Sequence, residues 1–347
     1  MRENGQDFAA DAVSTDAGDV VGSGSGDRER RYDVVVVGGG AAGLSAALTL
    51  GRARRSVLVV DAGQPRNAPA HGVHNFLGSE GIAPAELLAN GRREVAGYGG
   101  ELTKGTVAGV RRAADGDFRV GLVDGRSIRA RRLLVTTGLV DELPAVPGLA
   151  ERWGREVLHC PYCHGWEVRD QPIGVLATGP MGVEQALMWS QWSGRVTLFL
   201  HTGPEPDDEA YERLAARGVG VVDGEVRALR VDDRDGLTGV VLAGGTTVPV
   251  RALVVAPRFT ARAALLSDLG LETREAEMGG HVLGTYVPTD ASGATAAPGV
   301  WAAGNVTDLV ATVVGSADSG MRAAAAVNAD LIAEETRQAV GTRRTSG

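Results

Sequence analysis

The chain has 347 residues, 44% of them hydrophobic, and a net charge of −8, which is length and apolar content enough for two domains with separate cores. The acidic balance argues against a nucleic-acid partner, which needs a basic stripe to neutralise phosphates, and the short basic runs at 28–31 and 129–132 read as solvated surface. No apolar run reaches the ~18 residues of a membrane span, and two cysteines spaced C-x-x-C do not make a disulfide scaffold.

Residues 1–30 are rich in Gly, Ser, Asp and Ala, without the basic start or apolar core of a signal peptide. The expectation is a disordered tail on a cytoplasmic protein. Order is expected to begin with Tyr32-Asp33-Val34-Val35-Val36-Val37, a β-branched run typical of a strand buried on both faces of a parallel sheet. Gly38-Gly39-Gly40-Ala41-Ala42-Gly43 follows, then a helix over 44–51 and a second strand over 56–60 ending at Asp61.

That order is strand, G-x-G-x-x-G, helix, strand, acid, the fingerprint of a dinucleotide site. Gly38 permits the tight turn, and Gly40, with Ala41 and Ala42 beside it, lets backbone approach a pyrophosphate. Gly43 lets helix and strand pack closely, and the helix N-terminus adds partial positive charge. Asp61 is placed to accept hydrogen bonds from a ribose.

The segment His159-Cys160-Pro161-Tyr162-Cys163-His164-Gly165-Trp166-Glu167 is the most informative in the chain. A C-x-x-C pair closes a readily exchanged disulfide, and one of its thiolates can have a depressed pKa. His164 can take and return a proton near neutral pH. Structural zinc needs about four ligands, and no second C-x-x-C exists, so no metal is expected. Two inert buried cysteines are the bland alternative.

A second strand–turn–helix–strand unit follows: 173–176, Ala177-Thr178-Gly179-Pro180-Met181-Gly182, a helix over 183–192, and 196–200. Turn signals at Asp235-Gly236 and Gly244-Gly245 mark 227–255 as a hairpin region returning to the main domain. Further on, Val300 and Trp301 open a strand that ends at Gly304-Asn305, and a helix is expected over 320–335.

Two segments, Leu133-Leu134-Val135-Thr136-Thr137-Gly138 and Pro298 to Asp308, resemble the flavoproteins with two dinucleotide-binding domains. The resemblance implies FAD, with Thr137, Gly138, Gly304 and Asn305 among its contacts; Asn305 stands where that family carries Asp. The cysteine segment resembles the low-molecular-weight thioredoxin reductases over roughly 31–338. Within them, C-P-Y-C-H-G-W-E looks most like the FAD-dependent dithiol oxidases of the gliotoxin and holomycin type.

That resemblance implies Cys160 as the exchange thiol facing substrate, Cys163 as the flavin-facing thiol, and His164 in place of an acid–base Asp. The stretch His74-Asn75-Phe76-Leu77-Gly78 resembles the family's flavin-side loop. It makes Asn75 a cofactor contact and leaves His71 and His74 open between active site and surface. The reductases bind NADPH through G-x-G-x-x-[AG] and H-R-R-x-x-x-R. Here Ala177 replaces the first glycine, and His201-Thr202-Gly203-Pro204-Glu205-Pro206-Asp207-Asp208 supplies carboxylates where paired cations are needed. Productive NADPH binding is not expected; charge leaves NADH open.

The implied architecture is α/β, with two Rossmann-like three-layer domains, the second inserted into the first. The FAD-binding domain is split into two segments, 31–145 and 258–338. Between them, 146–257 form the inserted NAD(P)-binding-like domain with the C-x-x-C, and a flexible tail is expected at 339–347. The implied assembly is a homodimer. The implied partner is a small-molecule dithiol or disulfide for an oxidase using oxygen, or a thioredoxin-like protein for an NAD(P)H-dependent reductase. A reductase driven by another electron donor and a non-catalytic flavoprotein are the remaining alternatives.

Overall fold

The computed structural model describes residues 30–346, so the tail expected at 1–30 lies almost wholly outside the described residues. The first unit begins with β1 (Arg31–Val37), α1 (Ala41–Arg52), β2 (Val57–Asp61), α2 (Pro84–Gly97) and β3 (Glu101–Lys104). An antiparallel excursion follows, β4 (Val107–Arg112), β5 (Phe118–Leu122) and β6 (Ser127–Val135), and then β7 (Leu139–Glu142) leads away.

The second unit holds β8 (Val157–Leu158), the one-turn α3 (Pro161–His164), β9 (Ile173–Leu176), α4 (Gly182–Trp189), β10 (Val196–Phe199), α5 (Asp208–Ala216) and β11 (Gly220–Val222). It continues with β12 (Val226–Val231), β13 (Leu237–Leu242), β14 (Thr247–Val248) and β15 (Ala252–Val254). The chain then returns through β16 (Arg258–Ala261), β17 (Arg274–Met278), β18 (His281–Tyr286), β19 (Val300–Ala302) and α6 (Val313–Thr345).

The first sheet runs β3-β2-β1-β6-β5-β4, and β19 closes it by pairing in parallel with the C-terminal half of β6. Alternation along β1 sends Val34 and Val36 to one face and Val35 and Val37 to the other. The first pair packs with Leu44, Leu50, Leu88, Ala324 and Val327 of α1, α2 and α6, and the second with Val110, Phe118, Val120 and Leu266. Both faces are covered, as an apolar run such as Val34–Val37 requires.

The second sheet runs β11-β10-β9-β15-β8. Residues 226–248 do not simply return to the first unit. They form a separate antiparallel sheet, β12-β13-β14, that covers one face of the second sheet through Val226, Leu237 and Val240. Only then does β15 slot between β9 and β8. The outgoing β7 and the incoming β16 are antiparallel partners, so the two crossings between units lie side by side.

Two expectations need correction. The last helix begins at Val313 and continues to Thr345, so most of the supposed tail at 339–347 is helical. Its C-terminal half is pinned by Asp330, Glu334 and Glu335 to Arg55, Arg131 and Arg132, including Arg131–Glu335 at 2.7 Å and Arg132–Asp330 at 2.5 Å. Arg343 and Arg344 sit in the last turn, where they complement the helix dipole. The basic run 129–132 is correspondingly paired rather than solvated, with the side chain of Arg131 only 10% exposed.

Gly320 lets α6 lie directly on α1, because a Cβ there would overlap the carbonyl of Ala42. We predict that Gly320→Ala costs ~1–3 kcal/mol by forcing the helices apart. Gly97→Ala, at an open helical position, is predicted to be neutral or stabilising by less than ~1 kcal/mol. Urea unfolding of both variants checks the contrast; equal effects would contradict it.

Candidate active site

Thirteen of the predicted site residues line one cavity of about 2100 Å³: Gly38, Gly40, Ala41, Ala42, Asp61, Asn75, Thr137, Gly138, Cys160, Cys163, His164, Gly304 and Asn305. This exceeds the usual ~300–1,000 Å³ of a small-molecule pocket and leaves room for an extended dinucleotide beside a substrate. Gly43 lies behind the turn instead, where a Cβ would strike the carbonyl of Gly38 and come within 2.7 Å of Thr136 Oγ1.

The turn itself is built for close approach of a ligand. Gly38 has φ +111°, and a Cβ would collide with the Thr136 carbonyl. Gly40 caps α1 without a side-chain bond, and nothing stands within 4 Å of the place its Cβ would take. That open space, in front of the N-terminus of a 12-residue helix, is a cradle for a pyrophosphate. Asp61 closes the far side at the end of β2, and the residues fit a flavin dinucleotide.

Two of the expected contacts carry structural bonds of their own. Thr137 Oγ1 donates to the carbonyl of Arg262 at 2.6 Å. Asn305 donates from Nδ2 to the carbonyls of Asp308 (3.0 Å) and Ala311 (2.9 Å), which fixes its Oδ1 toward Arg66 at 3.2 Å. An Asp at this position could not make the two donations.

Cys160 and Cys163 form a disulfide with Cα atoms 5.3 Å apart, Cys160 immediately preceding α3. Proline at the first helical position suits this turn, since its missing N–H is not needed there. One hydrogen bond, and one longer contact just beyond the turn, tie this segment to the first unit. Asn75, at φ 59°, donates from Nδ2 to the Tyr162 carbonyl at 2.5 Å. His74 contacts Glu80 through Nδ1 at 2.7 Å and approaches Glu167 through Nε2 at 3.5 Å. His74 therefore lines the cavity, whereas His71 is exposed beside it.

Burial lowers the pKa of His164, with the charges of His74 and His71 acting in the same direction and Glu167 opposing. Its ring is thus predominantly neutral at neutral pH and able to accept a proton. His159 is lowered further, to about 4, chiefly by burial and then by Arg66. It is held between Trp153 and Phe259, with ring centroids at 5.7 and 5.6 Å.

The residues that sequence reasoning missed are Arg66, Asp141 and Phe259. Arg66 binds Asp141 through Nε at 2.9 Å and Nη2 at 2.6 Å, and stands over the ring of Phe259. Nothing local distinguishes Arg66 from the chain's many other arginines. Only the topology, which brings 66, 141, 159, 259 and 305 together, could find it.

The second turn differs. The methyl of Ala177 occupies the space that glycines leave, since Cβ atoms on Gly182 or Gly203 would fall 2.6 and 2.8 Å from it. His201 accepts the Val226 N–H through Nδ1 at 3.1 Å, which places its proton on Nε2. The small hollow beyond α4 is lined by Glu184, Glu205, Asp207 and Glu209, and its one arginine, Arg213, is paired with Glu184 at 2.8 Å. The β17–β18 turn, with Gly279 and Gly280 both at positive φ, packs against the second turn near Met181. It places the His281 ring 3.0 Å from a Cβ built on Gly179. Among the described residues no cluster of three or more His, Cys, Asp or Glu could hold a metal ion, and no helix is long and apolar enough to cross a membrane.

A glycine-cradled dinucleotide turn sharing one cavity with a C-x-x-C disulfide defines a flavin-dependent disulfide oxidoreductase. The comparisons agree: the model of the pyridine nucleotide-disulphide oxidoreductase family matches residues 32–329, and the chain belongs to that family. The family's thioredoxin reductase-like members use FAD. The crystal structure of HlmI superposes with a TM-score of 0.84 at 48% identity, covering 91% of this chain and 98% of that one. Thioredoxin reductase sirT of Leptosphaeria maculans is 30% identical over 312 residues, 86% of this chain and 93% of that protein. A relative in Arthroderma benhamiae is 38% identical over 159 residues, 44% of this chain, and the match spans only 39% of that relative.

The bonding of Asn305 yields a prediction. Asn305→Asp sets carboxylate oxygens against two carbonyls, and we expect the apoprotein to lose ~1–2 kcal/mol in urea unfolding. Unchanged or increased stability would show that the amide does not organise residues 308–311.

Proposed function

We propose that this chain is an FAD-dependent dithiol oxidase that closes a disulfide in a small-molecule dithiol, with oxygen as acceptor and hydrogen peroxide as product. The observation that carries this reading is the contrast between the two turns. Both turns border the cavity that holds the disulfide, but the first is open at Gly40, whereas the second carries the Ala177 methyl, has the His281 ring against Gly179 and adjoins a hollow rimmed by carboxylates. Recognition of a 2′-phosphate needs paired cationic donors, and the hollow beside the end of β10 has Arg213 as its one arginine, already paired with Glu184. Electrons are then supplied by thiols rather than by a nicotinamide.

In this reading a substrate thiolate attacks Cys160 Sγ, breaking the Cys160–Cys163 bond and releasing the Cys163 thiolate. The second substrate thiolate attacks the substrate sulfur of the mixed disulfide and expels Cys160 as a thiolate. The substrate has lost two electrons and two protons, and the enzyme's cysteine pair has gained the electrons. His164, neutral and beside the pair, takes a thiol proton at its free ring nitrogen and returns it to solvent. FAD, held at the Gly38–Gly43 turn, would supply the acceptor for the electron pair and its outlet to oxygen. The sum is dithiol plus oxygen giving disulfide plus hydrogen peroxide.

Aerobic turnover with a model dithiol tests this directly: one peroxide is expected per disulfide formed, with no demand for NADPH. NADPH oxidation coupled to disulfide reduction, without peroxide from dithiol, would establish the NAD(P)H-dependent reductase instead. Cys163→Ser is predicted to lower kcat by on the order of a thousand-fold. Because burial lowers the pKa of His164, the acid limb of kcat/KM should fall below the ordinary imidazole value of 6.5. His164→Gln should abolish that limb; a limb that survives the exchange would remove His164 from the proton path.

A further inference from the structure

Arg66 lies in the loop after β2, with Pro65 before it, and its guanidinium reaches three separate regions of the chain. It makes a two-point ion pair with Asp141 of β7, which is only 7% exposed. Its Nη1 donates to Asn305 Oδ1 at 3.2 Å, and its Nη2 stands 3.3 Å from His159 Nε2. Asn305 borders the cofactor side of the cavity, and His159 is the residue before Cys160.

The chemistry of these contacts is restrictive. A guanidinium has donors and no acceptor. Its partner atom on His159 must be a lone pair, so Nε2 is unprotonated and the proton sits on Nδ1. The orientation of Asn305 is set independently by the carbonyls of Asp308 and Ala311, and it presents its oxygen to Arg66. All three partners thus offer acceptors to one rigid cationic fork. Lysine could not match this geometry, because an ammonium group cannot span a bidentate carboxylate and two further acceptors.

We infer that Arg66 is a positioning residue that couples the cysteine turn to the cofactor side of the cavity, holding His159 as the neutral Nδ1–H tautomer and Asn305 in its working orientation. The inference rests on the reading that disulfide and flavin work in one cavity, and not on the direction of electron flow. It also divides labour between the histidines flanking the pair. His159 is locked as an acceptor and contributes placement, which leaves His164 as the proton carrier.

The test uses the full chain, prepared with and without FAD, as wild type, Arg66→Lys and the double variant Arg66→Met/Asp141→Asn. The double variant avoids leaving a buried carboxylate without its partner. Nitrogen-15 NMR of the histidine rings, with His159→Gln to assign the signal, reports the tautomer. Titration of apoprotein with FAD reports affinity, and anaerobic reduction by a model dithiol reports rate against dithiol concentration.

The wild type is expected to show His159 as Nδ1–H down to about pH 5. Both variants are expected to lose that single tautomer, to bind FAD at least about tenfold more weakly, and to reduce flavin about tenfold more slowly at saturating dithiol. An unchanged His159 tautomer together with unchanged FAD affinity would overturn the inference. A wild type inert toward every dithiol would instead sink the oxidase reading, and the tautomer and affinity would still decide the role of Arg66.

Discussion

The arrangement depends on the docking of one short segment, His159 to Glu167, against loops of the other unit. Very few bonds hold it there: Asn75 to the Tyr162 carbonyl, His74 toward Glu167, and Arg66 to His159. Each joins residues far apart in sequence, and each places the disulfide in the cavity that the Gly38–Gly43 turn opens. A disulfide on the outer surface of the second unit could exchange with thiols but would not face the cavity that Gly40 borders. The rigid sheets on either side, with their apolar strands covered on both faces, exist in this sense to hold that turn in register.

The second unit keeps the framework of a nucleotide-binding βαβ unit around an altered turn. Its strands still align in parallel, and Ala177, Ala186 and Leu198 still pack as a βαβ core. β8 and β9 flank the cysteine turn in sequence, so the sheet anchors that turn whether or not a dinucleotide binds. What has changed is confined to groups that would touch a ligand: a methyl in the turn, carboxylates on the rim, and a histidine ring against Gly179.

Much of this was legible in the sequence, and for identifiable reasons. The run Val34–Val37, the spacing of Gly38, Gly40 and Gly43, and the acid at Asp61 are local features whose geometry is dictated within thirty residues. The C-x-x-C and its flanking histidines are equally local. What sequence could not supply was long-range. The role of Arg66 is set by contacts with 141, 159 and 305, and the ion pairs that carry α6 through to Thr345 join Glu334 and Glu335 to Arg131 and Arg132. The same blindness made the run 129–132 look like surface. The sheet formed by 226–248 is not legible in the sequence, because turn signals mark where a chain reverses and not which sheet receives the strands.

Anaerobic stopped-flow mixing of FAD-loaded protein with a model dithiol, following the flavin absorbance, probes the central claim most directly. Bleaching by the dithiol that disappears in Cys163→Ser, with no bleaching by NADPH, is the outcome this account requires. Rapid bleaching by NADPH, or bleaching by dithiol that survives the loss of Cys163, would contradict it.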